Sequence, residues 1–190
     1  FNEAGATLNI DINSASENVA ISSNGTTYTL VSSGTFTGTD TGNVTGTGTN
    51  TLTVTAAGLT TFNLINVTDS STAATFTFND SAANTYGDSI SVTLDDATAE
   101  TITFNGASSF TGAAALSVST SRNILANSAS SIVATSGDIM LTANRGGTAV
   151  AGDFDGIRIN AATVSATTGN ITLTARSGNT DSDDAIELMG

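Results

Sequence analysis

The sequence predicts an all-β chain that coils into a β-solenoid, and three observations favour that fold. Thr, Ser, Asn, Ala and Gly dominate the 190 residues, Pro is absent and only 5% are aromatic, so long helices are not expected. Two stretches of the chain repeat one another closely. Short apolar-x-apolar pairs, separated by Thr or Ser, recur about every 24–32 residues along the chain.

The clearest repeat lies in the C-terminal half. Residues 131–144, SIVATSGDIMLTAN, align with residues 163–176, TVSATTGNITLTAR, at a sequence offset of 32 (163 − 131). Downstream, FDGIRI at 154–159 aligns with DDAIEL at 183–188, at an offset of 29 (183 − 154). Only the intervening loop differs in length, as repeat arrays tolerate.

The N-terminal half shows the same spacing less clearly. One series of pairs has sequence steps of 24, 24 and 26: Tyr28/Leu30, Leu52/Val54, Phe76/Phe78 and Ile102/Phe104. A second series steps by 26 and 26: Leu64, Ile90/Val92 and Leu116/Val118. Each pair predicts a short strand lying parallel to its equivalent in the next coil, with apolar side chains stacked inside. About seven coils of 24–32 residues are expected.

We treat residues 1–190 as a single solenoid segment with an irregular start. Residues 1–50 are less regular, and the low-complexity stretch 37–50 is interpreted as a flexible excursion or a weakly packed coil. Repeats are clearest over 113–190. An antiparallel sandwich is the alternative fold, but tight hairpin signals are scarce and the repeat includes a loop together with a strand.

Three phrases resemble filamentous-haemagglutinin-type β-helix repeats: GNITLTA (169–175), GDIMLTA (137–143) and AIELMG (185–190) after a Gly/Asp-rich loop. Such repeats occur in very large secreted bacterial adhesins and surface proteins. The resemblance implies a right-handed parallel β-helix, export from the cell, and adhesive or structural work.

Several kinds of chemistry are disfavoured by composition. His, Cys and Lys are absent, which removes Ser–His–Asp and Cys–His catalysis, ordinary zinc sites and Schiff-base chemistry. The net charge of −13, with four Arg as the only cations, disfavours nucleic-acid binding, and no apolar run is long enough for membrane insertion. The remaining enzymatic alternative is the carboxylate pair Asp95–Asp96, which we interpret as turn residues, so we expect no enzyme.

A metal hypothesis arises at one loop corner. Asp153 and Asp155 lie in AGDFDG, and three more carboxylates, Asp181, Asp183 and Asp184, lie in NTDSDDA. The 29-residue offset places Asp155 beside Asp184 in neighbouring coils. Ca²⁺, which prefers six to eight oxygen ligands, would relieve the repulsion between these carboxylates. The alternative is that the loops extend into solvent and bind nothing.

Two further residue classes carry structural expectations. Four Asn residues at strand ends are interpreted as lone turn formers rather than an inward amide ladder: Asn79, Asn105, Asn123 and Asn170. Six Phe residues are expected to stack in the core rather than form a carbohydrate-binding platform: Phe36, Phe62, Phe76, Phe78, Phe104 and Phe110.

The functional hypothesis follows from the ends of such a rod. Neither terminus shows a polar capping helix, so we expect end-to-end stacking of identical copies, or continuation into flanking repeats of the same parent chain. The chain is therefore predicted to be a secreted, extracellular structural or adhesive protein that forms a cell-surface fibre or filament. The alternative is a module that binds surface glycans through a lateral groove, with possible stabilisation by calcium.

Overall fold

The chain is almost entirely β-structure in a computed structural model that describes residues 1–13, 16–69, 74–79, 84–95, 100–145, 150–179 and 183–190. Six strands and one helix come first: β1 (Asn2–Ala4), β2 (Thr7–Ile12), β3 (Asn18–Ser23), β4 (Tyr28–Ser32), β5 (Val44–Thr45), β6 (Thr51–Val54) and α1 (Ala56–Thr61). Six strands follow: β7 (Leu64–Asp69), β8 (Thr75–Phe78), β9 (Asn84–Tyr86), β10 (Ser89–Leu94), β11 (Thr101–Phe104) and β12 (Ala107–Phe110). The last eight are β13 (Leu116–Thr120), β14 (Asn123–Ala126), β15 (Ser131–Ala134), β16 (Ile139–Ala143), β17 (Ile157–Asn160), β18 (Thr163–Ala166), β19 (Ile171–Ala175) and β20 (Ile186–Met189). Within these ranges no helix has the length and apolar character needed to cross a membrane.

The strands form three sheets that the chain visits repeatedly in the same order. Sheet A has the spatial order β1-β2-β7-β10-β13-β16-β19, sheet B has β20-β17-β14-β11-β8-β3-β4-β6-β5, and sheet C has β18-β15-β12-β9. From β7 onward the chain passes from sheet A to sheet B to sheet C and returns to sheet A, and we call each passage a cycle. All strand pairs among β7–β20 are parallel. The antiparallel sandwich is therefore wrong for this part of the chain.

The register between neighbouring strands confirms the main repeats. Ile139 pairs with Ile171, Ile157 with Ile186, and Phe78 with Phe104, which confirms the offsets of 32 (171 − 139), 29 (186 − 157) and 26 (104 − 78). Because side chains alternate between the two faces of a strand, equal registers place like residues on the same face at successive levels. Apolar residues therefore form columns inside the molecule.

Two details of the predicted spacing are wrong. Ile65, not Leu64, lies beside Ile90, so the step is 25 (90 − 65) and Leu64 faces outward. The pairs Tyr28/Leu30 and Leu52/Val54 lie on β4 and β6, which are antiparallel neighbours. As a result, sheets A and B each contain six strands in their parallel stacks instead of about seven. Sequence offsets between later parallel partners run from 22 (123 − 101) to 33 (157 − 124).

The interior is filled by inward-facing apolar columns and stacked rings. One column of side chains in sheet A is at most 1% exposed at every level before the last strand, β19: Leu8, Ile65, Ile90, Leu116 and Ile139. The rings of Phe78 and Phe104 stack with centroids 4.5 Å apart, and those of Tyr86 and Phe110 with centroids 5.1 Å apart. All six Phe residues predicted to stack in the core are buried, which confirms their place in the core, and Phe78, Phe104 and Phe110 stack on other rings.

The N-terminal end of the stack is covered, contrary to the expectation of two open ends. Strand β1 pairs antiparallel with β2, and β4, β6 and β5 extend sheet B as antiparallel strands beyond β3. The stretch 37–50 is an excursion, as predicted, but it is fixed rather than loosely packed. Asp40 Oδ1 accepts hydrogen bonds from the backbone N–H groups of Gly46 and Thr47 at 2.9 and 2.7 Å, and Val44 is fully buried.

Side chains from the N-terminal segment cover the edge of sheet C, which begins one cycle later than the other sheets. Ser23 Oγ donates to the Thr85 carbonyl at 2.6 Å, and Tyr28 Oη accepts the N–H groups of Gly87 and Asp88 at 2.9 and 3.2 Å. Burial, followed by the nearby Asp88 carboxylate, raises the pKa of Tyr28 well above its ordinary value. Burial likewise raises the pKa of Asp88, although its hydrogen bond with Tyr28 acts in the opposite direction.

Candidate functional site

The described residues directly before β17 and β20, 150–156 and 183–185, form one corner of the molecule. Because these strands pair at an offset of 29 (186 − 157), their preceding loops lie at neighbouring levels. The Asp184 N–H donates to Asp155 Oδ1 at 3.0 Å, and the Gly156 N–H donates to the Asp184 carbonyl at 2.9 Å. The predicted proximity of Asp155 and Asp184 is confirmed. Asp181 lies outside the described residues.

A lateral cleft of about 320 Å³ opens beside this corner. We call it the Arg–Asp cleft, and it is lined by Arg122, Asn123, Leu125, Asp153, Phe154, Asp155, Arg158 and Asp183. Two of the four Arg residues of the chain therefore face the predicted carboxylates Asp153, Asp155 and Asp183. The corner is a mixed-charge surface, not the purely acidic one that the sequence suggested.

An ion pair across two strands partly neutralises the corner. Arg158 on β17 lies in register with Glu187 on β20, and Arg158 Nε is 2.9 Å from a Glu187 carboxylate oxygen. Partial loss of solvent, followed by hydrogen bonding and repulsion from Asp155, raises the pKa of Glu187, while Arg158 acts to lower it. Asp155 and Arg158 therefore act on the pKa of Glu187 in opposite directions.

The second arginine of the cleft is held differently. The Arg122 guanidinium carbon lies 5.1 Å from the centroid of the Phe154 ring, a cation–π geometry. Phe154 is only 6% exposed, so the ring supports the guanidinium from below instead of forming an open platform. The carboxylates Asp153, Asp155 and Asp183 line the same cleft as this guanidinium.

The calcium hypothesis receives no support from the part of the corner that the structure describes. Within the described ranges, no three acidic side chains converge closely enough to hold a metal ion. Repulsion at the corner is instead relieved by Arg158 and by the Asp184 N–H that binds Asp155. Because Asp181 is not described, calcium binding stays a prediction. Calorimetric titration with Ca²⁺ together with a melting-temperature measurement tests it. If Ca²⁺ produces no heat and no shift in melting temperature, the calcium hypothesis is ruled out.

The other carboxylate pair gains no catalytic geometry. Asp95 is exposed and follows β10 directly, while Asp96 lies outside the described residues. The structure therefore gives no separation between their carboxyl groups, and the enzymatic alternative stays untested.

The strand-end asparagines link neighbouring levels on the outer surface. Asn105 Oδ1 accepts from Asn127 Nδ2 at 2.6 Å, and Asn123 Oδ1 accepts from the Thr101 hydroxyl at 2.7 Å. Asn170 donates through its backbone and side-chain nitrogens to Asp138 Oδ1. The interpretation as lone turn formers is therefore wrong for Asn105, Asn123 and Asn170. Asn79 is exposed, and its N–H donates to the carbonyl of a residue on β3.

Sequence reasoning missed Arg122, Phe154, Arg158 and Glu187 as parts of one site. A signal existed for two of them, because the alignment of FDGIRI with DDAIEL that placed Asp155 beside Asp184 also places Arg158 beside Glu187. No repeated motif linked Arg122 to Phe154, since β14 and β17 pair at an offset of 33 (157 − 124) without resembling each other.

The fold and the cleft define the chain as an all-β protein built on parallel sheets, with a mixed-charge cleft on its side. A scan against protein-family models and searches of curated proteins and of solved structures found no match to this chain.

Proposed function

We propose that this chain is a segment of an extracellular β-solenoid, a right-handed parallel β-helix that serves as structural or adhesive material at a cell surface. The observation that carries the proposal is the recurrence of three parallel sheets in constant order, with side chains in register from one cycle to the next. In a solenoid each turn satisfies its backbone groups through its neighbours, as these strands do. Right-handedness is the expectation for connections between parallel strands of one sheet.

The surface and dimensions suit a passive, durable element. The parallel stack of sheet A has six levels, and a spacing of about 4.8 Å places its first and last strands, β2 and β19, about 24 Å apart. Residues 1–121 contain neither Lys nor Arg, so trypsin-like proteases have no cleavage site there. These features support an extracellular role in which the chain contributes length and residues 1–121 resist trypsin-like proteases.

Axial association is part of the proposal, in a form that the covered end restricts. At the N-terminal end, antiparallel strands occupy the edges of sheets A and B, and side chains of the N-terminal segment cover the edge of sheet C, so another copy finds no open parallel edge there. Extension of the rod is therefore proposed to occur at the opposite end, through further repeats of the same kind.

Cell-surface labelling tests the proposed location and role. Antibodies raised against the purified 190-residue chain should label intact cells of the source organism, and trypsin treatment of those cells should leave most of the signal. An antibody against a cytosolic protein serves as the control for membrane integrity. Labelling that appears only after permeabilisation would contradict the proposal.

The Arg–Asp cleft favours a second candidate function, the binding of surface glycans. Planar polar side chains that lie close together, such as Arg, Asp and Asn, can form paired hydrogen bonds with adjacent sugar hydroxyls, and Arg122, Asn123 and Asp153 all line the cleft. Saturable binding on a glycan array should be lost in Arg122→Ala and kept in Arg145→Ala, an exposed arginine that does not line the cleft. Equal binding by both variants would rule out the cleft as the glycan site.

A further inference from the structure

The C-terminal end of the stack exposes its apolar interior. Strands β18, β19 and β20 are the last strands of sheets C, A and B. Ile171 is 43% and Leu188 is 70% exposed, whereas Ile139, which is in register with Ile171 one level below, is fully buried. A hollow of about 420 Å³ lies among these residues, lined by Ile159, Ala162, Val164, Ile171, Leu173, Leu188, Met189 and Gly190.

At this end, every second residue of the last strands directs its backbone N–H and C=O groups toward the open end of the stack. In a parallel ladder, alternate residues direct both N–H and C=O to the same neighbour. On β19 the residues Asn170 and Arg176 bond to the preceding strand, so the odd-numbered residues between them face the open end. The same alternation holds for β18 and β20, where Thr163 and Met189 bond to the preceding strands. Seven residues thus combine an apolar side chain that faces the interior with a backbone N–H that points toward the open end of the stack: Val164, Ala166, Ile171, Leu173, Ala175, Ile186 and Leu188.

A specific contact links the starts of the sheet A strands at successive levels. Asp138 Oδ1 accepts the backbone N–H of Asn170 at 2.7 Å and its side-chain amide at 3.2 Å. A Cβ on Gly169 would lie 2.0 Å from the carbonyl oxygen of Gly137, so only glycine fits where these two levels meet. Asn170 occupies at the last level the position that Asp138 occupies one level earlier.

We propose that this end is an acceptor for one further parallel cycle of polypeptide that carries the strand pattern of residues 163–190. Above β19 the acceptor takes a Gly-(Asp or Asn)-apolar-x-apolar strand, because that sequence already joins β16 to β19. The inference rests on the proposed solenoid and names the chemistry of the partner at its open end. Association by addition of a strand to an exposed edge supplies both the hydrogen bonds and the apolar cover.

A second copy of this chain fits the acceptor poorly. At its N-terminal end, sheets A and B finish in the antiparallel strands β1 and β5, and the β9 edge of sheet C is covered by the side chains of Ser23 and Tyr28. Two C-terminal ends placed together would bring their strands together antiparallel, which breaks the Gly–Asn contact between levels. The occupant is therefore a repeat segment and not a symmetric dimer partner.

The test extends the full chain by a second copy of residues 163–190 placed directly after Gly190. A matched control carries an extension of identical composition in scrambled order. In the faithful extension, NMR-detected hydrogen exchange of the seven open-end amides should slow by at least about tenfold, as expected when amides enter a stable sheet. In the control their exchange should match that of the unextended chain.

Three outcomes would overturn the inference. They are unchanged exchange in the faithful extension, equal slowing in the scrambled control, and a concentration-dependent dimer of the unextended chain in which the same amides are already protected. Amides of β13 and β16, which have neighbours on both sides, report on the stack itself. Fast exchange there means that the solenoid proposal has failed, whereas slow exchange there with unprotected open-end amides means that only the acceptor has failed.

Discussion

Replacing Phe78 and Phe104 by leucine, singly and together, examines whether side chains paired in neighbouring levels touch one another. Both rings are fully buried, their centroids are 4.5 Å apart, and their planes differ by 8°. Truncation of a buried Phe to Ala costs about 3–5 kcal/mol, and leucine keeps much of the volume, so each single change should cost about 1–2 kcal/mol. Stacked aromatic pairs contribute about 0.5–1.5 kcal/mol beyond burial, and this is the coupling energy expected.

Urea denaturation of the four proteins in this double-mutant cycle measures that coupling. The double variant should be less destabilised than the sum of the single variants by about 0.5–1.5 kcal/mol. As a control, Phe36→Leu combined with Phe104→Leu should be additive within about 0.5 kcal/mol, because the two rings share no contact among the described residues. Additivity for Phe78 and Phe104, or equal coupling in the control pair, would refute the stacking of these levels.

Three further predictions concern buried polar groups and close backbone contacts. Burial raises the pKa of Asp88, so the folded protein favours the protonated form of this carboxyl group and loses stability as pH rises from about 4 through that pKa. Asp88→Asn should remove this loss of stability. The melting temperature should therefore rise at pH 7 but not at pH 3. Tyr28→Phe should cost about 1–3 kcal/mol in urea titrations at neutral pH, because the buried N–H of Asp88 and the partly buried N–H of Gly87 lose their acceptor. The same change should lessen the loss of stability above about pH 10, because the raised pKa of Tyr28 opposes ionisation of its hydroxyl in the folded state. An unchanged alkaline profile would contradict this. Gly137→Ala should destabilise the chain by about 2–4 kcal/mol, because the added Cβ would lie 1.9 Å from a carbonyl oxygen of the neighbouring level. As the control, Gly42→Ala should change stability by less than about 0.5 kcal/mol, because a Cβ added at Gly42 would have no atom within 4 Å.

The C-terminal half was predictable because its repeats preserve both loops and strands. The match of 131–144 with 163–176 fixed the pairing of β15 with β18 and of β16 with β19 without any knowledge of the structure. Loop length changes between β17 and β20 did not disturb the register, since their offset could be read from FDGIRI and DDAIEL directly.

The N-terminal half could not be predicted in the same way, for a physical reason. Apolar alternation has a period of two in parallel and in antiparallel strands, so the spacing of Tyr28/Leu30 and Leu52/Val54 carried no information about strand direction. The run around β7 contains adjacent apolar residues, and choosing Leu64 over Ile65 reverses the inward face. Only the three-dimensional pairing decides between these alternatives.

The contacts of the candidate site that join the repeats around β17 and β20 could be predicted from the sequence. The repeat offset placed Asp155 beside Asp184, and the same offset, carried a few positions further along the chain, would have placed Arg158 beside Glu187. The packing of Arg122 on Phe154 joins levels whose sequences do not resemble each other, so no periodic signal identified it. The mixed charge of the cleft therefore emerged only from the structure.

Backbone nuclear Overhauser effects between sheet A strands test the parallel stack most directly. The account predicts amide-to-Hα contacts that connect Ile65 with Ile90, Ile90 with Leu116, and Ile139 with Ile171, in the pattern of parallel neighbours. Close Hα–Hα contacts between antiparallel partners among residues 64–189, with these connections missing, would contradict it.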